Sequence, residues 1–373
     1  MLDLTGLQAL VMALRARGYD VIGPRATPTA VVFGPLASVS DLPYGWTSRQ
    51  EPGRYRLERD GSGLAFAFGP ASESLKRYVN PPVSTFWRAT REEGTLRFEP
   101  SSPSPSPLAV IGVRPCDLQA IARYDDVFLN GPYTDPAYRA RRASMFLVAA
   151  NCTHPAGTCF CASMSAGPRA TVLFDLALTE LPVEGGRPHR FIVTPGSNAG
   201  AAVLAEIATE PPLPADITAE EELLRAAAAR MGRALETAGL AAVLTASPEH
   251  PEWDDVARRC LTCANCTLVC PTCFCSTVED RTDLSGVHME RRRRWDSCFT
   301  AEFSYIHGGS IRPSVRARYR QWLTHKFATW SEQFGVPGCV GCGRCITWCP
   351  AAIDVTEEIG RIREGTRQPA TVA

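Results

Sequence analysis

Two segments of the chain share one cysteine pattern, C-x2-C-x2-C-x3-C-P: residues 260–271 and residues 339–350. Thiolates two residues apart on a curled loop converge on one face of an iron–sulfur cubane, with the loop's N–H groups aimed at the sulfurs. In paired copies the fourth cysteine of each run ligates the other cluster. The spacing therefore assigns Cys260, Cys263, Cys266 and Cys349 to one 4Fe–4S cluster, and Cys339, Cys342, Cys345 and Cys270 to a second. The fourth cysteine is expected to open a helix, because a proline after it suits a first helical turn. A pair of zinc knuckles is the plainer reading of C-x2-C pairs. Zinc needs only four ligands per site, however, and does not call for two full copies of the longer run.

The chain has fifteen cysteines, an odd count whose spacings suit metal ligation better than a disulfide framework. Free thiols imply a reducing compartment, the cytoplasm. The apolar stretch Leu7–Leu14 has its arginines after it. A signal peptide places positive charge first, so a cytosolic helix is expected there. No apolar run approaches the length of a membrane span. A formal net charge of +0 lacks the basic excess of a nucleic-acid binder.

Leu7, Leu10, Val11 and Leu14 recur at helical spacing over residues 4–17. Strand-like runs follow at Ala30–Phe33, Tyr55–Glu58, Leu64–Phe68 and Thr95–Phe98, and residues 100–107 read as a low-complexity connector. Leu108–Val113 and Ser144–Ala150 read as buried strands, each delivering a cysteine (Cys116, Cys152) past its C-terminal end. An Ala-rich helix is expected over 218–238, with Leu224, Ala228, Met231 and Leu235 on one face. Beyond about Val355 a frayed polar tail is expected. The fold class is α+β. An α/β-like N-terminal domain (1–215) and a helical linker (216–252) precede a mainly helical, ferredoxin-like two-cluster domain (253–373).

Cys116, Cys152, Cys159 and Cys161 form a second constellation. Ligands gather at C-terminal strand edges, and four thiols suffice for a third 4Fe–4S cluster. Buried structural cysteines, acting as small hydrophobes, are the plainer alternative. Cys273, Cys275 and Cys298 are left over and are expected to be buried near the clusters, with a reactive thiol as the sharper reading. The run Arg291–Arg294 reads as a docking patch for an acidic partner, or as a solvated basic face. No dinucleotide fingerprint, P-loop, H-E-x-x-H motif or nucleophile elbow is present. Hydride chemistry is thus expected on another chain, and no catalytic residue is assigned to this one.

The stretches Gly112-Val-Arg-Pro-Cys-Asp-Leu118, Asn151-Cys152, Thr158-Cys-Phe-Cys-Ala-Ser-Met164 and Arg294-Trp-Asp-Ser-Cys298, with His325-Lys326 and both cysteine runs, resemble one family. It joins the beta subunits of soluble NiFe hydrogenases (sulfhydrogenases) with the iron–sulfur subunits of anaerobic sulfite reductases. The resemblance implies an electron-transfer subunit of a cytoplasmic hetero-oligomer. Such a chain would relay electrons between the hydrogenase small and large subunits and a flavin- and NAD(P)-binding subunit, or toward a sirohaem subunit. It also supports the third cluster. The rivals are a heterodisulfide-reductase-like complex, a zinc-binding interaction module, and sulfur reduction at Cys273, Cys275 or Cys298.

Overall fold

Leu108–Val113 and Met145–Ala150 carry no charged or hydrogen-bonding side chain, a continuity that marks strands covered on both faces. In the computed structural model, which describes residues 1–101, 104–183 and 188–367, they pair in parallel at the centre of a seven-stranded sheet. Asp20–Ala26 and Leu176–Leu181 extend the parallel set on either side. Antiparallel strands finish the edges: Val31–Pro35 on one side, Arg190–Pro195 and then Leu2–Asp3 on the other. Alternate residues face opposite ways. Ile111 and Val148 pack against the helix Leu4–Ala16, which buries Leu7, Leu10, Val11 and Leu14 and is capped by the Asp3 carboxylate. Val110 and Leu147 pack on the other face with Leu118, Ile121 and Tyr124 of the helix Pro115–Phe128.

A second sheet joins distant parts of the chain. Val83–Glu92 and Thr95–Pro100 form one hairpin, and the hairpin of Ser276–Thr282 with His288–Trp295 pairs onto Val83–Glu92. The insert between the cysteine runs thus enters a sheet with the N-terminal half. The C-terminal region, expected to be mainly helical, carries these strands as well.

Three other expectations need correction. Leu64–Phe68 is not a strand. The Glu180 carboxylate accepts from the N–H groups of Ala65 and Phe66 (2.6 and 2.8 Å), and Arg114 donates to the carbonyls of Phe66 and Phe68 (2.8 and 2.7 Å). Side chains from elsewhere satisfy the backbone that a ladder would otherwise have paired. The Ala-rich helix runs Pro214–Ala229 and stops well short of 238. Past it the chain extends along the 157–163 loop, where Arg233 N–H donates to the Cys159 carbonyl and Leu235 N–H to Ser163 Oγ, both at 3.0 Å. The tail is helical over Val355–Arg367 and buries Ile359 and Ile362. Residues 102–103 of the connector and 368–373 of the tail lie outside the described residues.

A deeply buried ion pair ties the N-terminal half to the second cysteine run. Arg344, from the second cysteine run, donates from Nη1 and Nη2 to the two Asp117 oxygens at 2.8 and 3.0 Å, and both side chains are almost wholly buried (2% and 1% exposed). Its remaining reach is taken up by the carbonyls of Ala71 (2.8 Å) and Glu73 (2.9 Å). Replacing Arg344 with Met leaves Asp117 buried without a counter-charge, with an expected loss of about 3–5 kcal/mol. Thermal unfolding checks this, and adding Asp117→Asn should recover part of the loss.

Candidate metal centres

Both cysteine runs turn through the left-handed region at the same two positions. Thr262 and Ala264 have φ of 51° and 66°, and Gly341 and Gly343 have 64° and 74°. In each run the N–H two residues after the first cysteine donates to its sulfur at 3.4 Å: Thr262 to Cys260 and Gly341 to Cys339. A four-residue helix follows each curl, Asn265–Leu268 and Arg344–Thr347. The fourth cysteine therefore follows a helix and does not open one; Pro271 and Pro350 stand in turns. The Asn265 side chain donates to the Trp348 carbonyl, fixing the first run against the residue before Cys349.

The effect of these turns is to gather crossed sets of thiols. Cys260, Cys263, Cys266 and Cys349 line one cavity, walled by Phe299, Tyr319 and Trp322. Cys270, Cys339, Cys342 and Cys345 line a second, which Lys326 and Phe327 also border. Cys345 touches both. Burial pushes the Cys339 thiol up to about 12 and holds those of Cys266 and Cys345 well above their ordinary range. Thiols opposed to ionisation this strongly become thiolates only around a cationic centre, so these donors fit iron–sulfur cores. It fits zinc poorly. A tetrahedral site with Zn–S of about 2.3 Å brings thiolate sulfurs to roughly 3.8 Å from one another. Among the described residues the only group of three such ligands within 4.8 Å is Glu252, Asp255 and Glu358, all carboxylates, which Arg259 and Arg361 already pair.

The N-terminal set is buried throughout: Cys116, Cys152, Cys159 and Cys161. Cys159 and Cys161 each lie close enough to Cys152 to feel its charge, and Cys116 likewise feels Cys161. Burial drives the Cys159 thiol up to about 12. Met231 Sδ covers Cys161 Sγ at 3.7 Å. The 158–161 loop is pressed onto the second run, with Phe160 N–H donating to the Gly341 carbonyl at 2.8 Å. Arg114 is buried beside Cys152, and among the described residues its Nε and Nη1 have no hydrogen-bond partner. An orphaned buried guanidinium suits an anionic group held among these thiols.

The leftover thiols lie together near Cys270. Cys273 is buried against the Cys270 sulfur, whereas Cys275 and Cys298 are only partly buried and face each other. The charge beside them does not come from Arg291–Arg294. Those four guanidiniums pair with Asp280, Glu279 and Glu290, Asp135, and Glu279 respectively, so the run is a strand of cross-linked ion pairs and not a free docking patch. It comes from Lys76 and Lys326, which sequence reasoning passed over as site residues. Lys326 Nζ donates to Cys270 Sγ at 3.3 Å and to Thr272 Oγ1 at 2.9 Å. A signal was there: these are the chain's two lysines, every other basic side chain being Arg or His.

A 4Fe-4S dicluster domain family model matches residues 259–353. Over 264 residues the chain is 34% identical to sulfhydrogenase 2 subunit beta of Pyrococcus furiosus, a match covering 69% of this chain and 74% of that protein. The chain belongs to the sulfhydrogenase beta-subunit family. No solved structure matches it. The dicluster domain coincides with the two curled runs, making this an iron–sulfur electron-transfer protein. Among the described residues no helix is long and apolar enough to cross a membrane.

A Cβ at position 341 would come within 2.6 Å of the Phe160 carbonyl, at a φ of 64°. Gly341→Ala is expected to cost about 1–3 kcal/mol, through strain and through parting the two loops. A lowered thermal midpoint, with iron first lost from the buried sets, is the readout.

Proposed function

We propose that the chain is the electron-transfer (beta) subunit of a cytoplasmic, NAD(P)-linked NiFe hydrogenase complex. It relays electrons between the hydrogenase small and large subunits and a flavin-binding subunit. One observation carries this: the thiol sets form a contiguous line. The N-terminal set abuts the second run, the second and first cavities share Cys345, and Cys263 is exposed at the far end. Cys260, Cys263, Cys266 and Cys349 would hold one 4Fe–4S cluster, and Cys270, Cys339, Cys342 and Cys345 another. Cys116, Cys152, Cys159 and Cys161 would hold a third. Bound clusters supply one-electron redox steps.

The chain's own residues supply the setting. Phe299, Tyr319 and Trp322 wall the first cavity against water. Lys326 and Arg114 offset negative charge at the second and third sets. Leu261, 65% exposed beside Cys263, gives a partner an apolar surface at the end of the line.

Anaerobic purification from the source tests the reading. Nickel-bearing and flavin-bearing chains should accompany this one; a sirohaem-bearing chain in their place sinks the hydrogenase assignment, and zinc without iron sinks the relay. Iron should reach about twelve per chain for three cubanes, and about eight leaves two. Cys116→Ser or Cys159→Ser should remove only the N-terminal share. Lys326→Met withdraws a hydrogen bond and a positive charge from the Cys270 sulfur. It should lower the reduction potential of one cluster and leave the others in place, as followed by a redox titration with spectroscopic detection.

A further inference from the structure

The hairpin that ends at Ser276 and Trp295, a directly opposed pair, sends its two ends away side by side. Asp296 N–H donates to the Cys275 carbonyl at 2.9 Å and extends the ladder one step. Cys298 then comes back close to the Cys275 side chain. Neither cysteine is fully buried. Around them lie the chain's two lysines. Lys76 stands 4.0 Å over the Trp295 ring and donates to the carbonyls of Thr267 and Leu268 at 3.3 and 3.4 Å. Lys326 reaches in from the Cys270 side. Both lysines are buried, and the negative groups bearing on them are thiols: Cys270, Cys273 and Cys275 on Lys76, and Cys270, Cys273 and Cys339 on Lys326. Buried ammonium groups call for anionic partners, and this pocket offers sulfur.

We propose that Cys275 and Cys298 form a redox-active dithiol that exchanges with small-molecule disulfides beside the second thiol set. The Cys275 thiolate attacks one sulfur of the disulfide R–S–S–R, forming a Cys275–S–S–R bond and releasing RS⁻. The Cys298 thiol gives its proton to a leaving thiolate and attacks the Cys275 sulfur. That forms the Cys275–Cys298 disulfide and releases the second RS⁻, which takes the proton Cys275 had shed. In sum, two thiols and R–S–S–R give one protein disulfide and two RSH. Two electrons and two protons reopen it, and the electron supply, a low-potential one-electron donor, rests on the relay proposed above. The adjacent Cys298 and the charges of Lys326 and Lys76 draw the Cys275 thiol down to about 7. An attacking thiol with a pKa near the ambient pH exchanges fastest. Cys298, the neighbouring thiol, acts second as the resolving thiol.

The test uses the full chain with its iron. Reduced protein is treated anaerobically with hydroxyethyl disulfide, alkylated with iodoacetamide, and digested without reductant for mass spectrometry. The expected product is a peptide pair linked through Cys275 and Cys298, with iron content unchanged. Cys298→Ser should trap Cys275 as the mixed disulfide, and Cys275→Ser should give neither adduct nor link. Full alkylation of both thiols after treatment overturns the proposal. So does loss of iron in Cys275→Ser or Cys298→Ser, which would make these residues metal ligands. Protein without iron that still forms the link keeps the dithiol and sinks the relay, so the two readings fail separately.

Discussion

The bond between Arg344 and Asp117 is the constraint on which the arrangement of thiols depends. Arg344 stands between Cys342 and Cys345, and Asp117 follows Cys116, so one ion pair spans two of the cysteine sets. Desolvating two such ions costs several kcal/mol each, and only near-complete hydrogen bonding offsets it. That condition is met by both Asp117 oxygens together with the carbonyls of Ala71 and Glu73. A lysine could not replace the guanidinium, because the geometry needs a planar fork engaging a carboxylate and two carbonyls at once. The same bonds fix an irregular stretch of the N-terminal half against the second run.

Charge is divided by residue type. Arginine serves the carboxylates and carbonyls, as at Arg344, Arg114 and the Arg291–Arg294 strand, where directional forks are of use. The two lysines lie in the field of thiols, Lys326 donating to a sulfur and Lys76 to the carbonyls of Thr267 and Leu268 beside them. A thiolate is a diffuse acceptor without a preferred plane, and a compact ammonium with three rotatable donors suits it better than a fork. Lys326 at Cys270 Sγ is the clearest instance, and it lies where the second cavity meets the leftover thiols.

The two C-terminal cysteine runs were legible because a 4Fe–4S dicluster imposes a short, rigid spacing on a local loop, and local geometry is what a sequence records best. The central strands were legible for a similar reason: burial on both faces demands unbroken apolar runs. What escaped was set by distant partners. Leu64–Phe68 has the composition of a strand, yet Glu180 and Arg114 take its backbone groups. Residues 231–235 carry a helical pattern, yet Met231 and Leu235 find apolar contacts by running along the 157–163 loop. The hairpin at 276–295 reads as a charged insert, while its edge pairs with Val83–Glu92. In each case a tertiary hydrogen bond or contact outweighs a local propensity of well under a kcal/mol per residue.

The two cysteine runs are not equivalent, and the reason lies in the residues at their two left-handed positions. Gly341 and Gly343 let the second curl lie directly on the backbone of residues 158–161, a contact that no β-carbon would permit. Thr262 and Ala264 hold the same left-handed turns with side chains attached, so the first curl cannot lie on a neighbouring backbone in this way. Its tip is open, since Cys263 is exposed while Cys342 is buried. Backbone identity at two positions thus decides which curl is central and which is at the surface. On the proposed relay, it also decides which end of the line meets a partner.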